Sequence, residues 1–127
     1  MTIVVLAGLA AAACPSTLPA DAVARRAGYA VLANAEAPRP AAIGAKAGSR
    51  WRSVQFSDGP PAERAWLAPD GPGRAIQTWS FAPTRGRSTY LSCGYGPGAP
   101  ILARPITAKR CSVRYTARAE VTTLACR

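Results

Sequence analysis

The reactive inventory of this chain is short: 16 Lys and Arg side chains, six carboxylates, four cysteines and no histidine. Without an imidazole, the Ser-His-Asp and Cys-His nucleophile arrangements and the histidine-bearing zinc sites are excluded. Ser92, next to Cys93, therefore has no base to activate it. Cys14, Cys93, Cys111 and Cys126 are separated by 79, 18 and 15 residues, with no Cys-x-x-Cys pair, so the spacing favours disulfides over metal ligation. Gly94, Gly96 and Gly98 surround Pro97 in a strand-and-turn context, not between a strand and a helix, so they form no phosphate loop. Asp58 and Glu63 flank a turn, and a carboxylate-dependent hydrolase needs two such groups about 5 to 10 Å apart. The plainer reading has Asp58 shaping an Asp-Gly turn and Glu63 pairing with a surface arginine. No catalytic residue, metal ligand or cofactor site is expected, and the hydrolase alternative requires both carboxylates to line one concave pocket.

Charge is the other chemical signal. The net charge is +10, and only two of the bases are lysine. Such a balance suits an anionic partner: an acidic protein, lipopolysaccharide, anionic lipid or phosphate. The bases are scattered singly, as on a solvated surface. The sharpest local candidate for anion contact is the loop Thr84 to Ser88, which presents Arg85 and Arg87 on a glycine-containing tip. Trp51, Trp66, Trp79, Tyr90 and Tyr95, with Arg50, Arg52, Arg85, Arg87 and Arg114, would make a basic aromatic face if they converged. Aromatic residues at strand spacing are more often core, and no specific nucleic-acid partner is expected.

Short strands must position these residues. In Trp51 to Asp58 the alternation puts Arg52, Val54 and Phe56 on one face, and Asp58-Gly59-Pro60-Pro61 ends the strand. Pro69 to Gly73 is a turn, after which Gln77, Trp79 and Phe81 share a face. Leu91, Cys93 and Tyr95 fall together in the next strand. Pro97 and Gly98 suit the central positions of a type II turn, and the hairpin returns through Ile101 to Ile106, with Pro105 at an edge or strand end. Cys111, Val113 and Tyr115 share a face, and Val121 to Cys126 is the last strand. Before Trp51 the chain is rich in Ala, Pro and Gly and reads as irregular, with Asp21 capping a short helix over Ala22 to Ala27. Residues Ala35 to Ser49 are expected to be a mobile loop that buries little.

Thr2 to Ala13 is an uncharged apolar run too short to span a bilayer and of signal-peptide length, so residues 1–13 are expected to direct export and 14–127 to form one β-domain. A lipid on Cys14 is the less favoured alternative, because it would leave an odd number of thiols in an oxidising compartment. Alanine alone supplies 28 residues, so large apolar side chains are few and cross-links matter.

A set of motifs spans most of the segment after Ala13. It comprises Cys14-Pro15, Asp58 to Pro61, Ala65, Leu67, Pro69-Asp70, Trp79 to Phe81, Tyr90 to Tyr95, Cys111 and Cys126. Together these resemble a family of small exported proteobacterial proteins of uncharacterised function. The resemblance implies a periplasmic location and a compact disulfide-bonded β-domain, and it implies no reaction. Four cysteines allow three pairings. The favoured one joins Cys93 to Cys111, across the hairpin and its return, and Cys14 to Cys126, with the others left open.

The expected architecture is mainly β, a small antiparallel sheet or a sandwich or barrel-like meander with two disulfides and an irregular N-terminal segment. The expected function is that of a non-enzymatic binding or inhibitory module of the cell envelope, exported to the periplasm or secreted, monomeric and without cofactor. Its partner would be an unknown protein or an anionic envelope component. A cationic envelope-binding protein without a specific partner is the alternative.

Overall fold

The computed structural model describes residues 13–83 and 85–127, so the expected export signal lies outside the described residues except for Ala13. Alternating apolar and polar residues build two antiparallel sheets, as the mainly β expectation required. The larger has the order β1-β5-β4-β2, from Ala30–Leu32 (β1), Ser53–Asp58 (β2), Thr89–Gly94 (β4) and Ile101–Ile106 (β5). The smaller has the order β3-β6-β7, from Ile76–Ser80 (β3), Arg110–Tyr115 (β6) and Val121–Cys126 (β7). Among the described residues one short α-helix, α1 (Asp21–Arg26), precedes β1.

The inward rows are those the alternation marks. Val54 lies opposite Cys93, which lies opposite Leu102, and Phe56 lies opposite Leu91. Across from them Trp79 and Cys111 are partners in the small sheet. Phe56 joins the layers: it is fully buried, and its ring centroid is 4.9 Å from that of Trp79 and 5.0 Å from that of Phe81. Both ring pairs are tilted, a geometry that aromatic quadrupoles favour over face-to-face stacking. The Trp79 indole N–H donates to the Leu67 carbonyl at 3.0 Å, so its polar edge is satisfied.

Turn chemistry follows the residues. The Ala99 N–H donates to the Gly96 carbonyl at 3.2 Å and Gly98 has φ +76°, which with Pro97 before it makes the type II turn. Pro105 lies inside β5, a strand with neighbours on both sides, yet β1 covers only Ile101, Leu102 and Ala103. The missing N–H therefore falls where no strand needs it. In β7 the register slips between Thr123, opposite Arg114, and Val121, opposite Tyr115. Thr122 is the extra residue, and this bulge is why Val121 faces inward with Leu124 and Cys126, although strict alternation would put it on the other face.

The segment before β2 departs most from expectation. Asp21 begins α1 and makes no side-chain cap. Its carboxylate instead accepts from the N–H groups of Ile43 at 2.9 Å and Gly44 at 3.2 Å. Those two bonds, with the Arg25 guanidinium adding to them, hold the Asp21 pKa below its ordinary value. Residues 35–49, expected to bury little, place Ile43 in the core at 2% exposure. Leu18 is buried too, held by bonds from its N–H to Ser49 and from Gly48 N–H to its carbonyl, both 2.7 Å.

The disulfides correct the favoured pairing. They join Cys14 to Cys93 and Cys111 to Cys126. The hairpin after β4 returns as β5, which carries no cysteine, and Cys111 belongs to the other sheet. There β6 and β7 put Cys111 directly opposite Cys126. With its sulfur bonded to Cys93, Cys14 has no thiol for a lipid, which speaks against the anchoring alternative.

Two tyrosines fix the same N-terminal residues. Tyr29 donates to the Ala13 carbonyl and Tyr95 to the Pro15 carbonyl, each at 2.7 Å. Burial, then the nearby Tyr29, pushes the Tyr95 phenol well above its ordinary range. A phenol whose folded pKa is raised leaves stability intact below the unfolded value of 10.0 and withdraws it as pH rises beyond that. Tyr95→Phe is expected to cost about 1 kcal/mol near neutrality through the lost hydrogen bond. It should also flatten the alkaline decline, read as unfolding midpoints in denaturant from pH 7 to 11. An unchanged decline would remove Tyr95 as its source.

Candidate functional site

The predicted anion-contact loop divides. Arg85 is exposed at the loop, as expected of a contact residue, whereas Arg87 is turned inward onto the turn after β2. Arg87 Nε lies 3.7 Å from Asp58 Oδ1, its terminal nitrogen bonds to the Asp58 carbonyl at 3.1 Å, and the same nitrogen bonds to Glu63 Oε1. Glu63, first through that hydrogen bond and then through its charge, raises the Arg87 pKa further. The arrangement depends on Gly59, where any Cβ would strike the Arg87 guanidinium. Arg87 therefore clamps the Asp58 turn, with its charge already opposed by Asp58 and Glu63.

The same clamp bears on the hydrolase alternative. Asp58 and Glu63 meet through one arginine, which opposes the charge of both. Ser92 is 2% exposed, which removes it from reach of a substrate. The basic aromatic face also dissolves: Trp79 and Tyr95 are core residues, and the Trp51 indole N–H is used by the Ser53 carbonyl at 3.0 Å.

What the strands do build is a concave surface on the small sheet. The loop carrying Pro69, Pro72 and Arg74 faces the tip of the β6–β7 hairpin across a groove of about 1000 Å³, floored by Gln77 and Tyr115. Both walls are stiffened. Gly73 sits where a side chain would collide with the Ile76 carbonyl, so only glycine closes that loop. At the tip, Thr116 N–H donates to the Glu120 carbonyl at 2.8 Å, and Thr116 Oγ1 accepts from Arg118 N–H at 3.2 Å and Glu120 N–H at 3.3 Å. A smaller depression of about 290 Å³ lies on the same sheet, lined by Thr78, Arg110, Ser112, Ala125 and Arg127. Composition alone did not reveal this surface, because its parts come from three separated stretches; the proline and glycine turn at 69–73 was the one visible sign.

Among the described residues, a β-scaffold held by two disulfides thus carries two concave surfaces, the smaller of them lined in part by Arg110 and Arg127. Residues 45–127 match the Type VI secretion system Tli immunity proteins, and this chain belongs to that family. The matched stretch contains β2 through β7, and hence both concavities. It also spans the positions from Asp58 to Cys126 quoted above, and the family's immunity role implies a protein partner. No curated protein and no solved structure matches the chain.

Proposed function

We propose that this chain is an exported immunity protein that works in the periplasm, where it binds and blocks a toxin with an acidic surface. The family membership carries the reading, since β2 to β7 are the matched part and hold the concave surface. Two disulfides support the oxidising compartment, as such bonds persist outside the cytoplasm and are rare within it. The apolar run ending at Ala13 would be the export signal and Cys14 the start of the exported domain. A net charge of +10 speeds encounter with an acidic partner and repels a basic one. The mature protein acts as a monomer, through rigid loops and strand faces, without cofactor.

The test is a competition between a strain deleted for this chain and its parent. The deletion strain should be killed on contact, and survival should return when the chain is supplied with its leader but not when it is supplied without one. Equal rescue by the leaderless form would overturn the periplasmic site of action, and survival of the deletion strain would overturn the immunity role.

A further inference from the structure

Ion pairs among the described residues use Arg25, Arg52 and Arg87, and none uses Arg74, Arg110, Arg114, Arg118 or Arg127. Three of these five share one face. In β3, β6 and β7 the positions alternating with the core row align as Ile76, Arg114 and Thr123, then Thr78, Ser112 and Ala125, then Ser80 and Arg110. Arg127 faces Arg110 directly: the two exchange backbone bonds of 2.8 and 3.0 Å. Like charges on directly opposed residues weaken a sheet. Nothing acidic among the aligned residues offsets them, and Asp70, beside Ser80, is occupied by the Ser80 hydroxyl and N–H at 2.8 and 3.3 Å. The corresponding positions of the large sheet, Ser53, Gln55, Tyr90, Ser92 and Ala103, carry no charge at all.

We propose that the exposed face of the β3-β6-β7 sheet is the docking surface, and that its occupant is an acidic segment of the toxin. Carboxylates of that segment are received by Arg110, Arg114 and Arg127, each able to hold a carboxylate through two parallel N–H donors. The floor of Thr78, Ser112 and Ala125 consists of small side chains, so a partner backbone can approach closely between the arginines. Ile76, a large apolar residue left 43% exposed, sits at the end of the same face and supplies the apolar contact such a site needs. The cross-strand repulsion of Arg110 and Arg127 is relieved when the partner arrives. This inference rests on the immunity reading and names the surface that serves it.

The double variant Arg110→Glu/Arg114→Glu tests it, beside Arg26→Glu/Arg39→Glu, which makes the same charge change away from this sheet. Both are measured in the deletion strain against its parent, and in vitro against a fluorescent poly-glutamate peptide and phosphatidylglycerol vesicles. Near-UV circular dichroism verifies folding, and Arg110→Gln/Arg114→Gln replaces the reversal if it fails to fold. Poly-glutamate affinity is expected to fall by about 100-fold, roughly tenfold per reversed charge. Protection should be lost with it, while the control variant keeps both. A folded face variant that protects as well as wild type overturns the inference and leaves the immunity reading standing. Loss of vesicle binding with poly-glutamate affinity unchanged overturns it in favour of a membrane surface. Failure of the wild-type chain to protect overturns the reading itself, and the inference with it.

Discussion

Replacing the Cys14–Cys93 bridge by Cys14→Ser/Cys93→Ala should lower stability more than removing Cys111–Cys126 by Cys111→Ala/Cys126→Ser. The first bridge closes a separation of 79 residues and the second one of 15. In the chain-entropy account such loops correspond to about 4.5 and about 3 kcal/mol, because the longer loop removes more freedom from the unfolded chain. Alanine is chosen at 93 since that side chain is fully buried and a serine hydroxyl there would add its own desolvation cost. The long bridge also fixes Ala13 to Leu18, which otherwise depend on the Tyr29 and Tyr95 bonds and on pairing with Gly48 to Trp51. Without it, amide exchange at Leu18 and Trp51 should rise ahead of the strands. Guanidinium unfolding of the two double variants measures the order, and an equal or reversed order would show that the long bridge restrains the unfolded chain no more than the short one. Peptide mapping of the oxidised wild type should recover Cys14 with Cys93; recovery of Cys93 with Cys111 would undo the pairing described here.

That pairing marks the boundary of what the sequence makes legible. Alternation at Val54 and Phe56, at Leu91 and Cys93, and at Cys111 and Val113 is a local property, and each of these residues is buried as the period requires. The Pro97-Gly98 turn is local too, and stands where its residue types demand. Which cysteines meet depends on which strands are neighbours, and that is decided by the split into two sheets. After β2 the chain leaves the large sheet and β3 pairs with β6, and no periodicity records the switch. The surroundings of Arg87 were hidden for a similar reason. In sequence it is an arginine on a glycine-containing tip, and only in space does Gly59, 28 positions earlier, leave room for its guanidinium between Asp58 and Glu63. Ile43 was hidden among small residues and prolines, and the Asp21 carboxylate that binds the backbone beside it is 22 positions away. The docking face was half legible. Arg114 and Arg110 alternate with the core residues of β6 in plain view, but their lack of acidic neighbours is a property of β3 and β7 laid alongside.

Phe56→Ala should be the most damaging single substitution, and its effect should reach the immunity surface. The ring is fully buried between the sheets against Trp79 and Phe81, so truncation leaves a cavity that rigid strands on both sides cannot collapse. Losses of about 3 to 5 kcal/mol are typical of Phe to Ala in a filled core, a large part of the 5 to 15 kcal/mol that holds a domain of this size. The midpoint of thermal unfolding should fall by roughly 12 to 20 °C. Phe56→Leu keeps most of the volume and should cost much less, about 1 to 1.5 kcal/mol. The functional consequence follows from geometry: Phe56 belongs to the large sheet, while Trp79 is the β3 partner of Cys111 in the small one. A void between them loosens β3 against the core, and β3 supplies Ile76 and Thr78 to the arginine face. At a temperature where the Ala variant is still folded, its poly-glutamate affinity should drop although no charged residue has changed, and Phe56→Leu should restore it. If the Ala variant melts within a few degrees of wild type, Phe56 does not join the sheets as described. If it melts early yet binds as wild type does, the face is held by the β6–β7 hairpin and the Cys111–Cys126 bridge alone.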